Sequence, residues 1–130
     1  MVEKEPAKIA GTKNVLDRAK VLEEYSKDTS FVHPIRPRCV VKPKDADEVQ
    51  RLVKWANETL TPLIPVSSGP PHCRGDTVPS TGGAVIVYLS GMKQIIRVDR
   101  RNRVAIFEPG GLVHQWERVK AYYRLWPFSH

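Results

Sequence analysis

The chain has 130 residues and a formal net charge of +7 at pH 7, with 41% hydrophobic and 27% charged residues. This describes one globular domain with its own core, and it excludes a helical membrane span, since no apolar run nears the roughly 18 residues needed. The positive charge favours an anionic partner, but no aromatic and basic interleaving and no zinc-finger spacing points to nucleic acid.

In chain order, the opening "MVEKEPAKIAGTKN" carries charges of both signs and no apolar secretory stretch, which predicts a cytoplasmic chain with a flexible terminus over 1–11. Asn14 and Asp17 have the spacing that caps a helix, with Leu16, Ala19, Leu22 and Tyr25 recurring at helical intervals. Prolines at 34, 37 and 43 exclude helix from "PIRPRCVVKPKD", and "RCVV" reads as a short strand at a sheet edge or start. Asp45 and Glu48 form a D-x-x-E capping box. Val49, Leu52, Val53, Ala56 and Leu60 then make an apolar stripe along a helix of about four turns.

"LIPVS" and "AVIVYL" predict buried strands, so residues 39–89 follow a β-α-β-loop-β order whose short connections make the strands neighbours. "QIIRVD" and "VAIFEP", joined by "RRNR", predict an antiparallel hairpin with one buried face. "PGG" at 109–111 suits a type II turn, and a helix is expected over 112–126. Its stripe of Leu112, Trp116, Val119, Tyr123 and Trp126 must be buried, on the chain's own sheet or on another polypeptide, before Pro127 stops it.

The connector "SSGPPHCRGD" at 67–76 is richer than a turn requires, with two glycines, twin prolines, a histidine, a cysteine and an Arg/Asp pair. His72 beside Cys73 is a poor nucleophile and base pair, because adjacent side chains diverge and no third group orients them. Zinc ligation by His33, Cys39, His72 and Cys73 lacks any C-x-x-C or H-x-x-x-H spacing. Two cysteines are too few for a disulfide framework, and Cys39 reads as a small strand hydrophobe. His33 and His114 read as surface or helix residues, and Lys93, Arg97, Arg100, Arg101 and Arg103 as a solvated hairpin face.

Taken together, "YSKDTS", "RPRCVVKPKDADEVQRLVKWANE", "IPVSSGPP" and "AVIVYLSGMKQIIRVDRRNRVAIFEPG", in order from about residue 12 to residue 120, resemble the FAD-binding domain of the vanillyl-alcohol-oxidase-like, PCMH-type family. Glycolate oxidase and D-lactate dehydrogenase subunits belong to it. The resemblance implies an α+β fold: a first FAD-binding subdomain (β-α-β-β with flanking helices) plus the opening antiparallel hairpin of a second. It makes 12–130 an FAD-binding domain incomplete at its carboxyl end.

By the same resemblance the pyrophosphate of FAD lies on the loop of Val66, Ser67, Ser68, Gly69, Pro70, Pro71, His72, Cys73, Arg74 and Gly75, and Pro109 and Gly110 lie near the flavin ring. Such a loop offers inward amides, small residues and positive charge to an anion. Pro70 and Pro71 depart from the family pattern by removing two N–H donors. A gapless match puts Pro71 where covalently flavinylated relatives carry histidine, so FAD is expected without a covalent bond.

The expected function is the FAD-binding portion or small subunit of a hydroxy-acid or alcohol oxidoreductase, inactive alone and with no assigned catalytic residue. Its expected partner is a second polypeptide completing the flavin domain, or another copy docked through the aromatic helix. The alternatives are a non-catalytic module that kept the fold and lost flavin, for which the twin prolines speak, and a basic nucleic-acid binder.

Overall fold

The computed structural model describes residues 4–67 and 72–111, and their fold is α+β. The charged opening is not frayed there: helix α1 (Lys4–Ala10) packs on the core with Pro6 and Ala10 buried, its Lys8 ammonium 2.6 Å from Glu5. Its composition hid a short apolar face, in which Ala7 and Ile9 join Ala10 against the core. Proline is tolerated at Pro6 because first-turn N–H groups lack helical acceptors. Gly11 ends the helix at φ 87°, its N–H donating to the Ala7 carbonyl at 2.9 Å.

The helix expected from Asn14 starts later. Thr12–Asn14 is a 3-10 turn, Val15–Leu16 is strand β1, and helix α2 (Ala19–Glu24) follows with Arg18 at its N-cap and no side-chain cap. The Asn14 amide instead donates back to the Ala10 carbonyl at 2.8 Å, and Val15 and Leu16 pair with Val41 and Val40. Sheet pairing therefore overrode the local cap signal.

Strand β2 (Cys39–Val41) leads into helix α3 (Ala46–Thr59), which starts where the capping box placed it. The Glu48 N–H donates to Asp45 Oδ1 at 2.9 Å, a cap that contributes about 1 kcal/mol. The Glu48 carboxylate accepts from the Lys44 N–H at 2.9 Å, one residue earlier than the usual reciprocal partner. The buried side of α3 is Glu48, Leu52, Trp55 and Ala56. Val53 and Leu60, expected on that stripe, are 43% and 88% exposed, with Leu60 serving as a left-handed C-cap. Glu48, Leu52, Trp55 and Ala56 recur at i, i+4, i+7 and i+8 and so share one face, whereas Val53 is one residue step off it and Leu60 lies past the last helical residue.

Strands β3 (Leu63–Val66) and β4 (Val85–Tyr88) complete a sheet of order β1-β2-β4-β3 among the described residues. β2 is thus an internal strand, not an edge, and β4 separates it from β3, so only β3 and β4 are the neighbours the short connections implied. β4 runs parallel to both. Parallel neighbours need a crossover, so the connection 67–84 must travel back along the sheet before β4 begins. This explains why that loop is long.

Helices cover both sheet faces, which is why "CVV" is buried at every position. Cys39, Val41, Val85 and Val87 meet Leu52, Trp55 and Ala56 of α3 on one face. Val40, Val66 and Ile86 meet Leu22 of α2 on the other, flanked by Tyr25 and Tyr88. These two rings stack edge to face at 5.9 Å, and Lys42 Nζ sits 5.3 Å from the Tyr88 centroid. Burial, then the neighbouring Tyr88 and Glu24, push the Tyr25 phenol up to about 12. The folded protein holds this proton more tightly than the unfolded chain, whose tyrosine titrates near ~10. Stability is therefore expected to be unaffected by Tyr25 below ~10 and to fall as pH rises towards 12, with Tyr25→Phe abolishing that component in denaturant titrations across the range.

Strands β5 (Ile95–Asp99) and β6 (Val104–Phe107) form the expected antiparallel hairpin, with a bulge between Ile95 and Arg97. Asp99 shapes its tip by accepting from the Asn102 N–H at 3.0 Å and the Asn102 side-chain amide at 2.9 Å. The expected buried face is absent among the described residues: Ile95, Ile96, Val104, Ile106 and Phe107 are all 47% or more exposed. The helix predicted over 112–126, with His114, lies outside the described residues.

Candidate functional site

β3 delivers Val66, 1% exposed, to the start of the loop, with the Leu89 N–H donating to its carbonyl at 2.8 Å. At the other end Val78 and Pro79 are buried and lead back towards β4. Between these anchors lies a cleft of about 290 Å³ lined by Pro65, Val66, Ser67, His72, Cys73, Arg74, Asp76 and Thr77. Of the residues singled out from sequence, Val66, Ser67, His72, Cys73 and Arg74 are brought together here. Ser68, Gly69, Pro70 and Pro71 lie outside the described residues.

The lining includes the hydroxyl residues Ser67 and Thr77, the basic Arg74, His72 and the exposed Cys73, together with the acidic Asp76. His72 Nε2 is buried without a hydrogen-bond partner among the described residues. Such an orphaned atom costs about 1–3 kcal/mol, and this one, closed off from solvent, is not one of the groups the cleft presents. The donor set therefore fits an anionic oxygen ligand. A group of three or more potential metal ligands is absent among the described residues.

Gly75 is turned to the other side of the loop. Its φ is 77°, and its N–H donates to Asp28 Oδ2 at 2.7 Å. A Cβ there would overlap the Val32 side chain and lie 3.2 Å from Ser30 Oγ. Asp28 Oδ1 also accepts from the Ser30 N–H at 2.9 Å and from the Ser30 hydroxyl. These bonds, the Ser30 hydroxyl first, and the nearby His72 hold the Asp28 carboxyl below the usual carboxylate range. Next to it, the Thr29 N–H and hydroxyl both donate to the His72 carbonyl, at 3.0 and 3.1 Å.

Asp28, Thr29 and Ser30 were not singled out individually from the sequence. The available signal was that they lie within "YSKDTS", one of the stretches carrying the family resemblance.

Pro109 and Gly110 are not among the cleft residues. They sit at the base of the hairpin, where the Gly110 N–H donates to the Met92 carbonyl at 2.7 Å and the Gly111 N–H to the Glu108 carbonyl at 3.0 Å. The turn is real but not type II, because Gly110 lacks the positive φ that type requires. Glycine is needed for another reason: a Cβ would overlap the Leu89 carbonyl oxygen and lie 2.7 Å from that of Met92.

A family model described as "FAD binding domain" matches residues 37–128. The chain is 30% identical over 109 residues to the glycolate oxidase subunit GlcD of Bacillus subtilis, covering 84% of this chain and 23% of that protein. It is 30% identical over 120 residues to D-2-hydroxyglutarate dehydrogenase of Stutzerimonas stutzeri, covering 88% and 25%. The crystal structure of p-cresol methylhydroxylase with substrate bound superposes at a TM-score of 0.82 and 28% identity, over 94% of this chain and 24% of that one. The chain thus spans about a quarter of the length of each.

Proposed function

Because the chain belongs to the FAD-binding domain family of flavin-dependent oxidoreductases, we propose that the 66–75 loop and its cleft hold the diphosphate of FAD without a covalent bond. The observation that carries this is the cleft itself, whose lining brings Arg74, Ser67 and Thr77 together at the end of β3. Pro70 and Pro71 contribute no N–H, which shifts the work of binding onto these side chains. FAD, when bound, supplies two-electron redox chemistry. This chain's residues bind and orient it.

At about 290 Å³ the cleft lies at the lower bound of the roughly 300–1,000 Å³ of small-molecule sites, so it encloses part of a dinucleotide. Further polypeptide, a second chain in our reading, completes the flavin site over residues 12–130. The exposed apolar residues of the β5–β6 hairpin support this, since an isolated two-stranded hairpin is at best marginally stable in water. The names of these two relatives point to a hydroxy acid as the substrate of the completed enzyme. No helix of the described residues is long and apolar enough to cross a membrane.

The test is the visible spectrum. Co-expressed with the polypeptide that completes it, the chain should show the two-banded absorption of oxidised flavin, released on denaturation as free FAD. Arg74→Ala should weaken retention about tenfold, the size of one charge-assisted hydrogen bond. A colourless complex after reconstitution with FAD would end the proposal, and unchanged retention would remove Arg74 from the site.

A further inference from the structure

We propose that Asp28 is a positioning residue for the cofactor loop: from a turn far upstream, it and Thr29 set the shape of 72–75 before any ligand arrives. The role assigned to the ligand rests on the diphosphate reading above; the role in shaping the loop does not.

The bonds run between segments 43 and 47 residues apart, from Thr29 to His72 and from Asp28 to Gly75. Each does something an anion cradle needs. A backbone carbonyl aimed at a phosphate would repel it, and the His72 oxygen is instead engaged by both Thr29 donors. A glycine amide would be free to swing, and the Gly75 N–H is instead fixed to Asp28 at a φ of 77° that other residues adopt only with strain. Asp28 is anchored in turn by Ser30, whose hydroxyl and N–H both point at Oδ1.

With both ends of 72–75 tied to one turn, His72, Cys73 and Arg74 are held in the lining of the cleft. A loop ordered beforehand loses less conformational freedom on binding, which is how a residue that never meets the ligand can raise affinity. The geometry also sorts the loop's amides: Gly75 serves the clamp and leaves the ligand to the residues before it.

The experiment uses the full chain and two readouts: amide hydrogen exchange resolved at Gly75 and along β4, and ADP binding followed by shifts of the 72–77 amide resonances at low ionic strength. ADP carries the diphosphate without the flavin. Asp28→Ala should speed Gly75 exchange about tenfold while β4 stays protected, and weaken ADP about tenfold, consistent with loss of a hydrogen bond to a charged group. Asp28→Asn keeps one carbonyl acceptor and should fall between wild type and alanine in both. Asp99→Ala removes the comparable carboxylate from the hairpin tip and should change neither.

Unaltered Gly75 exchange in Asp28→Ala would overturn the proposal, as would faster exchange with unaltered ADP affinity. If Asp28→Ala also loses β4 protection, Asp28→Asn decides by the same criteria. Wild-type protein that shows no ADP response would defeat the diphosphate reading, and the exchange measurement would then decide the clamp by itself.

Discussion

Replacing Gly110 by alanine is expected to destabilise the protein by about 3 kcal/mol, combining backbone overpacking with the loss of a buried hydrogen bond. The added Cβ would overlap the Leu89 carbonyl oxygen and lie 2.7 Å from the Met92 carbonyl oxygen and 2.9 Å from the Ser90 carbonyl carbon. Each of these is a backbone atom, so no side chain can rotate away to make room. Relief requires the base of the hairpin to retreat from the 89–92 turn, which breaks the 2.7 Å bond from the Gly110 N–H to Met92. Thermal unfolding should shift down by roughly 10 °C for a domain of this size. Amide exchange should rise first at Gly110 and Gly111. A melting temperature within two degrees or so of wild type would show that the close approach is not a constraint in solution.

Ile86→Ala is expected to cost a similar amount, about 3 kcal/mol within the 2–5 kcal/mol range of large-to-small changes in cores. Ile86 is 0% exposed at the centre of β4 and meets Leu22, Val40 and Val66 on the thinner side of the sheet. The surrounding strands hold their spacing through hydrogen bonds, so the space left by the side chain cannot collapse. Val66, which opens the cofactor loop, is one of its neighbours, and the loop should therefore loosen together with the sheet. Denaturant titration measures the loss, and Val53→Ala on the 43% exposed side of α3 supplies the comparison, with an expected change within about 0.5 kcal/mol. Equal effects of the two substitutions would contradict the assignment of the core.

Much of this could be read without coordinates wherever the deciding interaction is local. The capping box of Asp45 and Glu48 starts α3 because its atoms lie within one turn of each other. The apolar runs 39–41 and 85–88 are strands because a covered parallel sheet buries residues on both faces, and 63–66 joins them as the outermost strand of that order. The ordered series of motifs carried the FAD-binding fold, and five of the loop residues it singled out, Val66, Ser67, His72, Cys73 and Arg74, line a cleft.

Other features answer to distant partners and left no local trace. β1 displaced the start of a helix because Val40 and Val41 were there to pair with it, and β4 entered between β2 and β3 although β3 precedes it in the chain. Gly110 looked like a turn glycine by spacing, whereas a carbonyl oxygen of another turn makes it necessary. Composition and periodicity report what each segment prefers by itself. Which segments meet is decided by the total burial and hydrogen bonding of the assembled sheet, and only that assembly brings Asp28 to Gly75.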